Sequence, residues 1–410
     1  MLVIIHSSRK SMFYIPQWEN WSGSVKIKPD KIYNPADEQE LCEIVRNSVQ
    51  NNKKIRVTGA GHSSSPLFCD GDVLVSLDNF KGVLTTDKEK GLATLLTGLT
   101  VHEAGEELLK HQLALHNTGD VDVQTLAGAI GTGTHGSGIK LGNLSSILMG
   151  VRMVNAEGNI VEYDFDNNPE IMKAARVALG TLGIFTQIKI KVLPAYELER
   201  REYCTTIDHC MQNLQDLIQA NRNFDFYWYP RTDETKIRIM NLPGEGMNNI
   251  DHAQCVMKDR GWGYEILPRT RELKFDEMEY ALPFEAGPAC FNEVRKRIKA
   301  KHRKEVAWRL LYRTIQADDT YISQATGKNV VTISLHHNAG MPFDEYFNDI
   351  EPIFLDHGGR PHWGKKHNLK AAQLKEKYPD WEKFNKIRKK LDPQGVFLNN
   401  GVKQLLVEED

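Results

Sequence analysis

Two glycine-rich segments carry residue types suited to holding an anion with main-chain groups. The first, VTGAGHSSS at residues 57–65, directly follows a β-rich run. Gly59 and Gly61 let neighbouring amides converge on an anion, and Ser63, Ser64 and Ser65 add hydroxyl donors, the physical recipe for gripping a pyrophosphate. The loop lacks the third glycine of a dinucleotide fingerprint, and no acidic residue follows about 20 residues later in a βαβ frame, so a plain tight turn is the competing reading. The second segment, TGDVDVQTLAGAIGTGTHGSG at residues 118–138, sets Gly128, Gly131, Gly133, Gly136 and Gly138 among small residues. Neither a helix nor a central strand tolerates that density well, because each interior glycine costs about 0.5–1 kcal/mol against alanine. The pair of segments predicts a long ligand lying along the backbone, against the plainer reading of a glycine-rich surface loop.

The elements that must position these loops are legible as periodicity. Leu41, Ile44, Val45 and Val49 share one face of a helix over residues 37–51, and runs at 55–58, 73–77 and 92–97 read as strands. Thr100 and Glu103 form a capping box ahead of a helix that buries Val101, Ala104 and Leu108. Strands at 151–155, 160–163 and 186–192 and a helix at 169–179 complete this first unit. After Ala195 the chain turns to aromatic-rich strands at 224–229 and 236–240, a helix at 284–301, strands at 307–316 and 330–336, and a helix at 343–354, a second, α+β unit. Within WRLLYRTI, Trp308, Leu310 and Tyr312 alternate with Arg309, Leu311 and Arg313, so the two sets face opposite ways. A helix at 381–391 stops at Asp392, Pro393, Gln394 and Gly395. The expected division is residues 1–194, 195–355 and 356–410.

Length and composition set the limits. A chain of 410 residues is sized for two to three domains. With 52 basic and 54 acidic residues the formal charge is −2, which lacks the excess needed for sequence-independent nucleic-acid contact. No apolar run approaches the roughly 18 residues of a membrane span, and the run at residues 2–5 stops at His6. The six cysteines show no CxxC spacing and read as reduced thiols, so no structural metal is expected. A cytoplasmic protein without membrane or nucleic-acid partners is predicted.

Five motifs in order, VTGAGHSSS, TLAGAIGTGTHGSG, ALGTLGIFT (178–186), GGRPHWGKKH (358–367) and the closing DPQGVFLNN, resemble the FAD-linked oxidases of the vanillyl-alcohol oxidase family. Within it they are most similar to the aldonolactone oxidase and alditol oxidase branch. The resemblance implies an α+β fold class, a PCMH-type FAD-binding domain followed by an α+β cap domain that holds the substrate, and a C-terminal segment that returns to the FAD domain. It implies FAD contacts from Thr58, Gly59, Ala60, Gly61, His62, Ser63 and Ser64. Further contacts are implied from Thr118, Gly119, Asp120, Thr125, Gly128, Ala129, Gly131, Thr132, Thr134 and His135, and from Gly183, Ile184, His362 and Lys365.

His62 stands where this branch attaches the flavin covalently through a histidine nitrogen; on its own it reads as a turn histidine. His135 matches a structural position that packs the glycine loop on FAD. Gly119 matches the position that in this family gates oxygen. Arg313 and Lys365 match cations near the flavin and the substrate oxygens, where positive charge stabilises developing negative charge. His336 or His337, at the end of the next strand, completes the site, and the sequence leaves the choice between them open. Lactone-oxidising members carry Glu two residues before the arginine, whereas this chain has Leu311. The implied activity is hydride transfer from a CH–OH group of a sugar, polyol or aldonolactone to flavin, with O2 returning it to the oxidised state and yielding hydrogen peroxide. A dehydrogenase with another acceptor, or a non-catalytic carbohydrate- or nucleotide-binding protein, are the alternatives.

Overall fold

The computed structural model describes residues 16–408 apart from 66, 68, 69, 269–272 and 307. The N-terminal apolar run at 2–5, Cys69 and the final two acidic residues lie outside the described residues.

The first unit contains two larger sheets beside two short two-stranded pairings. In one, β1 (Lys31–Tyr33), β2 (Ile55–Thr58) and β3 (Val73–Ser76) lie parallel in the order β1-β3-β2. Helix α1 (Glu38–Gln50) is capped by Asp37 and buries Leu41, Ile44 and Val45, the face that its spacing foretells. The second sheet is antiparallel, with β4 (Val83–Asp87), β5 (Leu92–Leu96), β6 (Leu148–Val154), β7 (Ile160–Asp164) and β8 (Ile184–Lys191) ordered β7-β6-β8-β5-β4. Between β5 and β6 run α2 (Val101–Lys110), which begins with the Thr100–Glu103 capping box, and the short helix α3 (Leu126–Gly131). That helix corrects the reading of the second glycine segment as non-helical. The helix at 169–179 ends early, as α4 (Pro169–Ala175), because Leu179 and Gly180 turn left-handed at φ 52° and 66°.

The second unit is one eight-stranded antiparallel sheet. Its strands are β9 (Glu197–Thr206), β10 (Asn223–Tyr229), β11 (Glu234–Asn241), β12 (Gln254–Trp262), β13 (Phe275–Pro283), β14 (Leu310–Ile315), β15 (Val330–Asn338) and β16 (Arg360–Pro361). Their order is β12-β9-β11-β10-β14-β15-β13-β16. Alternation divides this sheet into two chemistries. Phe226, Trp228, Tyr312, Ile333, Leu335, Met278 and Tyr280 are buried on one face, where Phe226 stacks on Tyr312 at 4.8 Å and Phe291 of the covering helix α5 (Gly287–Arg297) meets both edge-on. Register brings Asp225, Arg313, Ser334, Glu277 and Glu279 to the other.

The chain then returns to the first sheet. The Ile55 amide donates to the Val396 carbonyl at 2.9 Å, and Val396 and Phe397 pack into the core with Leu41, Ile44 and Val45. Arg56, 3 % exposed, donates to the carbonyls of Leu179, Gly180 and Phe397 at 2.8, 3.1 and 3.0 Å. One guanidinium thus ties β2, the left-handed turn before β8 and the C-terminal segment together. Arg56→Met keeps most of the volume and strands three buried acceptors, so stability falls by about 3 kcal/mol, read as a lower thermal midpoint at unchanged secondary-structure content.

Candidate active site

Strand β2 ends at Thr58 and opens onto the first glycine loop. Gly61 has φ 68°, a conformation that favours glycine, and its carbonyl accepts from the Trp21 amide at 2.7 Å. That contact places the Trp21 indole on the His62 ring, with centroids 4.8 Å apart and planes 28° from parallel. Burial, joined by the nearby Lys365 charge, holds the His62 imidazole down at about 4, so the ring is uncharged at neutral pH.

Thr58, Gly59, Ala60, Gly61, His62 and Ser63 form one wall of a groove of about 1070 Å³; Thr125, Gly128, Ala129, Gly131 and Thr132 form the facing wall, with Leu179, Gly180, Gly183 and Phe185 beside them. A Cβ on Gly59 would overlap Thr125, whereas one on Gly131 would meet nothing within 4 Å. The glycines therefore keep the walls close at one point and leave the backbone bare at another. Gln124 Oε1 is buried there without a hydrogen-bond partner. Bare amides, hydroxyls and an orphaned acceptor along the groove fit FAD, whose phosphates the glycine walls would hold.

A second cavity of about 580 Å³ adjoins the groove, and His62, Ser63, Gln124 and Thr132 line both. Its walls include Gly119, Asp120, Thr134, His135, Glu277, Leu311, Arg313, His336, His362 and Lys365. Glu279, fully buried, takes His135 Nε2 on one oxygen at 2.7 Å, and Arg313 Nη2 and the Ser334 hydroxyl on the other. Burial pushes this carboxyl up, but Arg313 and His135 outweigh it and hold it well below the usual carboxylate range. Lys365 Nζ lies 2.5 Å from Glu277 Oε2, and His336 Nε2 lies 3.5 Å from Glu277 Oε1. Here too burial raises the Glu277 carboxyl while Lys365 and His336 prevail, bringing it down to about 2. Asp120 accepts from Arg238 Nη2 at 3.0 Å and from the Tyr227 hydroxyl at 2.5 Å.

Three expected contact residues lie elsewhere. Ile184 is fully buried among Leu41, Val45 and Val154, because β8 turns Gly183 and Phe185 to the groove and its own side chain to the core. Ser64 lies outside both cavities; its amide donates to the Gly364 carbonyl at 2.9 Å, and it lines a separate cavity with Ser65 and His367. Thr118 is buried behind the site, where its carbonyl is the atom a Cβ on Gly136 would strike. Of the two adjacent histidines, His336 lines the cavity and His337 faces Tyr346 on the opposite face of the sheet.

Glu277, Glu279, Trp21 and Gln124 escape the sequence reading. The two acids stand in FDEMEYALP, where alternating acidic residues read as a solvated edge, and only the strand pairing reveals a buried face. His135, Glu279 and His362 also offer ligand atoms within 4.8 Å of one another. Protein groups already occupy them: His135 Nδ1 donates to the Gly136 carbonyl at 2.9 Å and His362 Nδ1 accepts the Gly364 amide at 3.0 Å. Burial, the largest influence, brings the His362 ring down to about 3 and keeps it uncharged.

Comparison with known proteins identifies the family. Residues 188–256 and 246–405 match the family described as D-arabinono-1,4-lactone oxidase, and residues 29–164 match an FAD binding domain. An L-gulono-1,4-lactone dehydrogenase of Mycobacterium tuberculosis is 30% identical, covering 95% of this chain and 99% of that one. An L-gulonolactone oxidase of Mus musculus is 28% identical over 94% and 97% of the two chains. The crystal structure of cholesterol oxidase from B. sterolicum superposes with a TM-score of 0.83 at 15% identity over 96% and 97%, a likeness of fold. No helix among the described residues is long and apolar enough to cross a membrane. The chain therefore belongs to the aldonolactone oxidase branch of the vanillyl-alcohol oxidase family, as an FAD-dependent oxidoreductase acting on CH–OH donors.

Proposed function

We propose that the protein oxidises a CH–OH group of an aldonolactone, with FAD held covalently by His62. The observation that carries this reading is the shared lining: the long groove and the charged cavity meet at His62, Ser63, Gln124 and Thr132. FAD, when bound, supplies the hydride acceptor. Arg313 and Lys365 direct N–H groups at substrate oxygens, their directions fixed by Glu279 and Glu277. His336 Nδ1 lies 3.1 Å from the Arg309 carbonyl and donates to it, which sets Nε2 on the cavity side, 3.5 Å from Glu277 Oε1. The flavin spectrum tests this reading: an aldonolactone within a panel of lactones, polyols and sugars should bleach it.

Transfer to O2, with peroxide as product, is the simplest terminal step. A dehydrogenase passing electrons to another acceptor is the second reading, and Gly119 does not decide between the two. A Cβ there would lie 3.0 Å from the His135 carbonyl and 3.6 Å from Thr134 Cγ2, so backbone packing accounts for this glycine without an oxygen path. Comparing oxygen uptake with reduction of an added dye decides between the acceptors.

Acid-precipitated protein should retain flavin fluorescence, and His62→Ala should release it; flavin still attached in the variant overturns the assignment. Because His62 titrates at about 4, attachment of FAD to apoprotein should run at an even rate from neutral pH down to about 5 and slow as protonation removes the ring's lone pair. Lys365→Met should lower the rate of flavin reduction by about 10²-fold at unchanged flavin content, measured by rapid mixing without oxygen.

A further inference from the structure

Position 311 projects a leucine into the cavity where the branch pattern has a carboxylate. The sheet provides carboxylates from two strands away. Leu311 pairs with Ser334, and Ser334 pairs with Glu279; one step along β15, His336 pairs with Glu277. All of these side chains stand on the cavity face. The two acids are not equivalent. Both Glu279 oxygens are taken, one by His135 and one by Arg313 and Ser334. Glu277 gives one oxygen to Lys365 at 2.5 Å, while its other has His336 at 3.5 Å, beyond a normal hydrogen-bond length. A carboxylate accepts about four hydrogen bonds. Glu277 lines the cavity and Glu279 is not among its lining residues, so the spare acceptor capacity on this face belongs to Glu277.

We propose that Glu277 binds the substrate, accepting hydrogen bonds from the hydroxyl groups of a polyhydroxylated ring that a carboxylate at position 311 would otherwise receive. This rests on the lactone reading above. Lys365 sits on the same carboxylate, so one oxygen of a bound sugar is met by a cation and a neighbouring hydroxyl by an anion. Adjacent oxygens with opposite demands describe a vicinal donor–acceptor pair, the chemistry of a carbohydrate rather than of a sterol or a simple alcohol. Leu311 offers its methyl groups to the same wall, so the hydroxyl recognised at this edge answers to Glu277 alone between the two positions.

The test pairs Glu277→Gln with monodeoxy lactones, each lacking one hydroxyl, using calorimetric affinity on flavin-loaded enzyme kept in the reduced form so that no turnover occurs. Wild-type enzyme should discriminate against one monodeoxy lactone by about 10- to 100-fold, the strength of a hydrogen bond to a charged group. Glu277→Gln should reduce that discrimination to within a few-fold, with flavin content unchanged. Equal weakening of the parent and every deoxy lactone means that Glu277 only positions Lys365 and overturns the proposal, as does unchanged discrimination. If Glu277→Gln fails to load flavin, Glu277→Asp, which keeps the charge and shortens the reach, is measured on the same panel and should shift the discrimination; if it leaves every ratio unchanged, the proposal falls. Wild-type enzyme that binds and oxidises no aldonolactone refutes the lactone reading itself, a result separate from any behaviour of the variants.

Discussion

Glu279 has no solvent exposure, and a carboxylate withdrawn from water remains ionised only where charged and hydrogen-bonding partners replace the lost hydration. Its partners come from three separate stretches of chain: His135 from the second glycine segment, Arg313 from β14 and Ser334 from β15. The requirement that all three arrive together fixes how the cap sheet seats on the first unit. For His135 to reach the carboxylate, the loop around it must lie against residues 117–120, and there a Cβ on Gly136 would strike the Thr118 carbonyl while one on Gly119 would crowd that of His135. Asn223 completes the joint from the cap side, donating to Asn117 at 3.0 Å and to the Ser137 carbonyl at 2.7 Å. The glycines of this segment thus serve both the groove and the seam that closes one end of it.

The same logic recurs along the polar face of the sheet. Arg238 bridges Asp225 and Asp120, carrying the ionic seam across to the loop that follows Gly119. Burial pushes the Asp225 carboxyl up, its attraction to Arg238 notwithstanding, whereas the acids on either side keep Arg238 firmly protonated although burial disfavours the charge. Such a face adds little net stability compared with a packed apolar one, yet removing one member of a buried pair costs about 3–5 kcal/mol. Its value lies in register: an apolar seam tolerates sliding, and a row of matched charges does not. The opposite face, with Phe226, Tyr312 and Phe291 interlocked, provides the apolar burial that holds the sheet to its helices.

Much of this was legible in the sequence. Periodicity located α1, the capping box of α2 and the helix Trp381–Leu391, because each buries one face against a single core. The alternation in β14 placed Arg313 opposite the aromatic side chains, and the glycine loops marked the groove. What escaped was set by pairing at long range. Strand β13 carries Asp276, Glu277 and Glu279, and its register with β15 alone sets Glu277 in the cavity wall and Glu279 on the same buried face beside it. The Trp21 stack on His62 joins residues far apart in sequence through one main-chain hydrogen bond to Gly61. The misplacement of Ile184 has a local origin: a motif identifies a turn, but the strand that leaves it sends alternate residues to opposite sides.

The charge count of the cavity bears on how the site works. Arg313 and Lys365, viewed alone, form a cationic pocket awaiting negative charge. In the structure each cation already holds a carboxylate, so neither presents a bare positive charge. Under the proposed reading, stabilisation of a developing oxyanion comes from N–H groups whose directions are fixed in advance, rather than from bare positive potential, and a preorganised donor requires no reorientation as charge moves. His62 and His362, both kept uncharged by burial, add no positive charge of their own to this wall.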